Sequence, residues 1–121
     1  MIAAITALLF TGGALAQEAA GTWTKKSHAI KGSWKIANSQ ITLTDFSTKK
    51  APDLKIFLSP LTVGELKNKN ALKGAKLISK LKSHKGTQTY AIPKGVDLSQ
   101  YKTVIIHCEK YTKLWGASAL K

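Results

Sequence analysis

Residues 103–120, TVIIHCEKYTKLWGASAL, decide the fold of this chain. The run VII at residues 104–106 is β-branched and apolar, which is typical of a strand with little exposure on either face. Successive side chains of a strand point to opposite faces. Cys108 is therefore predicted to point inward among apolar side chains, and His107 to lie on the opposite face.

A second strand is predicted close behind the first, over residues 113–120. The connection between the two strands is so short that it favours an antiparallel pair. Such a pair would bring Trp115 close to Cys108, which is the single cysteine of the chain. The stretch is either a thiol site or a core strand, and its pattern leaves both interpretations open.

Earlier in the chain, apolar residues follow a period of two, the spacing of half-buried strands. Residues 21–36 predict two strands around a turn near Gly32. In residues 41–46 the alternation places Phe46 on the face opposite to Leu43. Further strands are predicted over residues 53–59, 76–82 and 86–93.

Residues 60–76 form the longest segment without a strand pattern. They are rich in Lys, Asn and Gly, and their leucines have no clean period, so a long loop with one helical turn is predicted. Loops of this length are uncommon in compact domains unless they have a role. A lid, a partner-docking loop and a tolerated insertion all remain open. Asp97 is predicted to cap a brief helical segment later in the chain.

Short strands with turn signals, and no long amphipathic helix, predict an all-β fold. About seven to nine strands would form an antiparallel β-sandwich or barrel. With 121 residues, the chain is long enough to bury the core of one domain without disulfides.

The N-terminal residues have the features of an export signal. Residues 2–16, IAAITALLFTGGALA, carry no charge and end in a small-x-small pattern at Ala14 and Ala16. Residues 1–16 are therefore predicted to be a signal peptide cleaved before Gln17, although no Lys or Arg precedes the apolar run. The expected location is periplasmic or extracellular, and the lack of a cysteine at the cleavage site argues against a lipoprotein.

The charge of the chain is strongly positive and comes from lysine alone. Nineteen Lys stand against six acidic residues, which gives a formal net charge of +13 and no arginine. Lysine is a hydrated point charge without the planar fork that recognises bases, so a nucleic acid partner is not expected. The charge favours an anionic polymer, a membrane surface or an acidic redox partner, or it serves only solubility.

Cys108 is the first candidate for chemistry, as a catalytic or cofactor-binding residue. A lone cysteine on an apolar strand is often a small buried hydrophobe. An exported protein that keeps an unpaired thiol, however, either hides it or uses it. The uses are a redox-active thiol, a ligand to haem iron or another metal, and an intermolecular bridge.

Other centres are excluded by missing motifs. The chain has no CxxC or CxxCH, which excludes covalent c-type haem and dithiol chemistry. No histidine follows Cys108, so the usual ligands of a blue-copper site are absent. The spacing of His28, His84 and His107 does not bring them together, and no metal site is predicted. The motifs GxSxG and HExxH and a phosphate loop do not occur, so a hydrolase is not expected. An enzyme that uses Cys108 as a nucleophile stays open, although no base or oxyanion donor is identifiable.

The order and spacing of these segments resemble the DM13 domain, an extracellular module, over about residues 21–120. The resemblance is carried by Gly32 at the early turn, by Leu43, Asp45, Phe46 and Ser47, by Pro52 and Asp53 ahead of LKIFLS, by LKSHKGTQTYAIP at 81–93, by Val96, Asp97, Leu98 and Tyr101 ahead of VIIHC, and by LWGASAL at 114–120. His107 departs from the family pattern, since an aromatic residue, often Trp, is usual there. Ala51 stands where the family favours Gly.

The resemblance implies a single β-sandwich domain over residues 17–121 that serves electron transfer. It implies that Cys108 is the redox centre, as a bare thiol or as the ligand of a prosthetic group such as haem. The cofactor-binding candidates are then Cys108, Trp115 and His107, and the cofactor is either haem or none. The alternative function is a non-enzymatic adhesion module that binds anionic envelope or matrix material through its lysines, with Cys108 as buried filler.

Overall fold

The computed structural model describes residues 17–120 and shows an all-β sandwich. Nine strands account for it: β1 Ala19–Thr22, β2 Thr24–Lys25, β3 Ile30–Ala37, β4 Gln40–Thr48, β5 Leu54–Ser59, β6 Lys76–Lys80, β7 Gln88–Ala91, β8 Thr103–Cys108 and β9 Lys113–Ala119. The predicted fold class is confirmed. The predicted signal peptide lies outside the described residues, and none of the described residues belongs to a helix long and apolar enough to cross a membrane.

The strands form two antiparallel sheets. The five-stranded sheet has the order β2-β9-β8-β5-β6, and the four-stranded sheet has the order β1-β3-β4-β7. The predicted hairpin is confirmed, because Cys108 at the end of β8 pairs with Lys113 at the start of β9. On its other side β8 pairs with β5, so the strand lies at the centre of its sheet.

Apolar side chains fill two layers, one on each face of the five-stranded sheet. The inner layer lies between the sheets and includes Trp34, Phe46, Ile106, Cys108 and Trp115. The outer layer lies under residues 60–76 and contains Phe57, Leu66, Ala71, Ile105, Leu114 and Ala117. All six residues of β8 are buried because the strand is covered from both sides.

Residues 60–76 form a series of turns held down by side chains. Thr62 and Glu65 exchange hydrogen bonds: the Thr62 N–H donates to Glu65 Oε1 at 2.8 Å and the Glu65 N–H donates to Thr62 Oγ1 at 3.2 Å. The N–H of Leu114 in β9 donates to Asn68 Oδ1 at 2.8 Å, which fastens the segment to the sheet. This segment is therefore a cover for the outer face. The predicted Asp97 cap is confirmed at the 3-10 turn Leu98–Gln100.

Two sequence-based expectations about the four-stranded sheet are wrong: the turn near Gly32, and the placement of Phe46 on the face opposite to Leu43. Both concern the same β-bulge. The chain turns before residue 30, and Gly32 lies inside β3 with a φ of 95°. The register between β3 and β4 shifts there, opposite Asp45, whose φ is 51°. Because an extra residue reverses the alternation of a strand, Phe46 joins Leu43 in the inner layer instead of facing away from it.

Candidate functional site

Cys108 ends the central strand and points into the inner layer, as predicted. Its side chain is 0% exposed. It pairs across the sheet with Leu54 of β5 and with Lys113 of β9. A thiol in this position cannot make direct contact with soluble oxidants or with other thiols while the fold is closed.

Trp115 lies in the same inner layer and owes its position to a second bulge. Leu114 pairs with His107 and Gly116 pairs with Ile106, so Trp115 has no partner residue on β8. In an antiparallel pair, side chains diagonal to each other are within reach when one of them is aromatic. Trp115 is diagonal to Cys108 and 5% exposed. The two predicted residues are thus brought together.

The backbone of the bulge also organises the turn after β2. The carbonyl oxygen of Trp115 accepts hydrogen bonds from the N–H groups of Lys26, Ser27 and His28, at 3.2, 3.2 and 3.1 Å. The indole N–H of Trp115 has no partner among residues 17–120, so packing holds the ring in place. The bulge fixes the backbone of this turn, and with it the position of His28.

His28 stacks flat on Trp115. The ring centroids are 3.8 Å apart and the planes are inclined by 21°. Ser27 Oγ donates to the Leu114 carbonyl at 2.7 Å and lies 3.1 Å from His28 Nδ1, so it is free to accept the Nδ1 hydrogen. This arrangement favours the tautomer of His28 with its hydrogen on Nδ1.

The surroundings of His28 disfavour the charged form of its imidazole, which lowers its pKa. Burial lowers the pKa of its imidazole below the ordinary value, and so do three lysines nearby. These are Lys49, Lys113 and Lys25. From the sequence, His28 is only one of three histidines without a predicted role. No residue near it in the sequence reveals that it contacts Trp115.

His107 lies in the outer layer, away from the thiol. It is 1% exposed, and its ring meets Phe57 edge-on at a centroid distance of 6.3 Å. Neither ring nitrogen has a hydrogen-bond partner among the described residues. Burial lowers the pKa of His107, and the charge of Glu109 opposes this in part. The structure therefore separates His107 from Cys108 and Trp115, which the sequence grouped as cofactor-binding candidates.

Replacing His107 by Phe is expected to stabilise the protein, because it removes a buried imidazole without partners. We expect a gain of about 1 kcal/mol at neutral pH. The pKa of His107 is lower in the folded protein than its ordinary value of 6.5. The folded state therefore has its full stability above about pH 6.5 and loses part of it as the pH falls toward the lowered pKa. The gain should therefore grow on acidification. Urea unfolding between about pH 8 and about pH 5 measures both effects.

The control for this prediction is His84→Gln, because His84 is a partly exposed histidine near the β4–β7 edge. It removes a histidine without removing a buried imidazole, so it should not reproduce the gain in stability at neutral pH. If the stability of the His107→Phe variant and that of the unmodified protein changed with pH in parallel, the burial of His107 would not make the protein less stable in acid.

The surroundings of Cys108 do not fit a haem group. A groove of about 1390 Å³ is lined by residues 62–64 and 95–99, by Tyr101, and by Ala119 and Leu120. This groove adjoins the start of β8 at Thr103, whereas Cys108 is five residues further along, roughly 17 Å away. A smaller groove is lined by Leu66 and Leu114 and likewise not by Cys108. Across residues 17–120, no three His, Cys, Asp or Glu side chains come together as a metal site would require.

Of three comparisons with known proteins, one found a match. No curated protein and no solved structure matches the chain significantly. A family model described as electron transfer DM13 matches residues 22–120, which span every strand from β2 to β9 together with the cover segment, Cys108 and Trp115. The chain belongs to the electron transfer DM13 family.

Proposed function

We propose that this protein is an exported electron-transfer module in which the thiol of Cys108 is the redox group. The complete burial of Cys108 beside Trp115 carries the proposal. Thiol–disulfide exchange needs two sulfur atoms in contact, so a thiol with 0% exposure takes no part in it while the fold is closed. An electron can cross a few packed side chains without such contact. The close packing favours the bare thiol over a haem ligand.

The redox step is an exchange of single electrons with a partner protein. A high-potential one-electron acceptor on the partner takes one electron, and the Cys108 thiol becomes a thiyl radical. The thiol proton passes to water at the end of β8, where the next residue, Glu109, is exposed. Because a thiyl radical is itself a strong oxidant, the acceptor must have a high reduction potential. A later electron and proton restore the thiol. Trp115 stacks on His28 and is diagonal to Cys108 on the neighbouring strand, so its ring is placed to relay the electron.

Export is part of the proposal. The uncharged residues 2–16 support cleavage before Gln17. An exposed lone thiol in an oxidising compartment would be converted to adducts or higher oxides. The burial of Cys108 protects the thiol from this chemistry and suits a protein that works in the periplasm or outside the cell.

The test compares the mature protein with its Cys108→Ala variant. Alanine is preferred to serine because a buried hydroxyl without a partner would cost stability. The oxidant is hexachloroiridate(IV), an anionic outer-sphere one-electron acceptor, and its consumption is followed by stopped-flow absorbance. The unmodified protein should show a fast phase that the variant lacks. Intact mass should show a chain that begins at Gln17 and carries an unmodified thiol.

Equal kinetics in the two proteins would overturn the redox role of Cys108. Urea unfolding of both proteins checks that the variant is folded, so that a missing fast phase cannot be due to unfolding. Oxidation of Trp and Tyr contributes a background to both reactions, which the comparison subtracts.

The second candidate function is the adhesion module, and the burial of Cys108 also favours it. In that case Cys108 only fills space in the inner layer, and the exposed lysines hold an anionic polymer or membrane surface. Identical redox behaviour of the Cys108→Ala variant, together with salt-sensitive retention of both proteins on immobilised heparin, would support this function instead.

A further inference from the structure

Three lysines surround the His28–Trp115 stack, and we call them the lysine collar: Lys25, Lys49 and Lys113. Lys25 of β2 pairs with Gly116 of β9, the residue that follows Trp115. Lys113 begins β9 opposite Cys108. All three side chains are exposed. The collar therefore lies at the same end of the sandwich as the buried thiol.

Lys49 reaches the collar through a contact between β4 and the turn before β3. The hydroxyl of Thr48, the last residue of β4, donates to the Ala29 carbonyl at 2.7 Å. Thr48 also pairs with Ile30. Since His28 and Lys49 each adjoin one member of this contact, their side chains belong to the same small area of surface.

Negative charges do not neutralise the collar. Among residues 17–120, the ion pairs are those of Lys55 with Glu109 at 2.7 Å and with Asp53 at 3.6 Å. Lys55 lies opposite His107 on β5, so these carboxylates are engaged beside the outer layer. The three lysines of the collar therefore have no ion-pair partner among residues 17–120.

The stack connects this surface to the interior. His28 is partly exposed, whereas Trp115 is 5% exposed and Cys108 is 0% exposed. The ring of His28 covers that of Trp115 at a centroid distance of 3.8 Å. His28, Trp115 and Cys108 thus form a sequence of neighbouring side chains from solvent to the thiol.

We propose that the lysine collar is the docking surface for an acidic redox partner protein, and that the electron passes between partner and thiol through His28 and Trp115. The electron route rests on the proposed function of Cys108, whereas docking at the collar does not. Three exposed lysines near one aromatic side chain fit a partner whose acidic residues surround a single redox centre. Long-range attraction would orient the two proteins before contact.

Docking is tested first, with hexacyanochromate(III) as a redox-inert paramagnetic anion. In amide NMR spectra, the signals of His28, Lys49 and Lys113 should broaden at lower concentrations of the anion than those of Lys76 and Lys80 on β6. The collar variant Lys25→Gln/Lys49→Gln/Lys113→Gln should lose this preference. A control variant with the same loss of charge, Lys76→Gln/Lys80→Gln/Lys94→Gln, should keep it.

The electron route is tested with hexachloroiridate(IV) on the same variants. At low ionic strength the collar variant should show a fast phase about tenfold slower, while the control variant stays within about twofold of the unmodified protein. The difference should disappear at high salt, where the attraction is screened.

The two proposals fail in different ways. Equal rates for the collar and control variants, or broadening centred away from His28, would overturn the docking surface and leave the role of Cys108 intact. An unchanged fast phase in Cys108→Ala would overturn the redox thiol and the electron route, whatever the NMR result. Binding to phosphatidylserine vesicles that the collar variant alone loses would reassign the collar to lipid.

Discussion

Replacing Gly32 by alanine is expected to destabilise the protein by about 3 to 5 kcal/mol, a large part of the stability of a domain of this size. Gly32 lies in β3 opposite the bulge of β4, at a φ of 95°, a conformation that residues with a Cβ rarely adopt. A Cβ at this position would also collide with the carbonyl oxygen of Thr44 and would lie 2.6 Å from that of Asp45. Both atoms belong to the backbone of β4, so neither can move without disturbing the sheet.

The matched control for this prediction is Gly86→Ala. Gly86 has a φ of 102°, but a Cβ there meets nothing within 4 Å. The control should therefore show only the conformational cost, about 1 kcal/mol. Urea unfolding followed by tryptophan fluorescence measures both variants. If Gly32→Ala and Gly86→Ala had the same effect, the close approach of β3 to β4 at the bulge would not matter to stability.

Replacing Trp115 by alanine is the second large change, and its effects should reach both stability and redox behaviour. Removing a buried indole from the inner layer should cost about 3 to 5 kcal/mol. It also uncovers one face of His28, whose pKa is lowered first of all by burial. The pKa of His28 should therefore rise toward its ordinary value. The fast phase of oxidation by hexachloroiridate(IV) should be lost or greatly slowed, because the relay between His28 and Cys108 is gone.

Trp23→Ala separates these effects. Trp23 meets Phe46 edge-on at 6.3 Å and lies at the margin of the inner layer, so its loss should also lower stability. It should leave the pKa of His28 and the fast phase of oxidation unchanged. NMR titration of the histidine ring signals gives the pKa in each variant. An unchanged His28 pKa in Trp115→Ala would mean that the stack does not control the state of the imidazole.

The sequence predicted the features that local patterns determine. Three β-branched residues identified β8, and alternation along that strand placed Cys108 inward and His107 on the opposite face, as the structure confirms. The short connection to β9 predicted the hairpin and the approach of Trp115 to Cys108. The proposed roles of Cys108, Trp115 and His107 remain predictions that the variants above test.

The features that the sequence missed depend on contacts between distant segments. The bulge at Gly32 exists because of how β3 pairs with β4, and the alternation within residues 41–46 gives no sign of it. Residues 60–76 cover the outer face through Leu66 and Ala71, although their apolar residues follow no period. His28 meets Trp115 because Ser27 and Leu114, 87 residues apart, are joined by a hydrogen bond. No short segment of the sequence predicts pairings of this kind.

The position of β9 has a consequence for how the molecule is made. This strand lies between β2, near the start of the described chain, and β8, near its end. The five-stranded sheet thus cannot close until β9 has been synthesised, and joining such distant segments makes folding slow. A nascent chain that stays unfolded until its last strand emerges can be threaded through a secretion channel, which admits only unfolded polypeptide. The topology therefore suits the export that we propose, because the five-stranded sheet stays open until β9 is available.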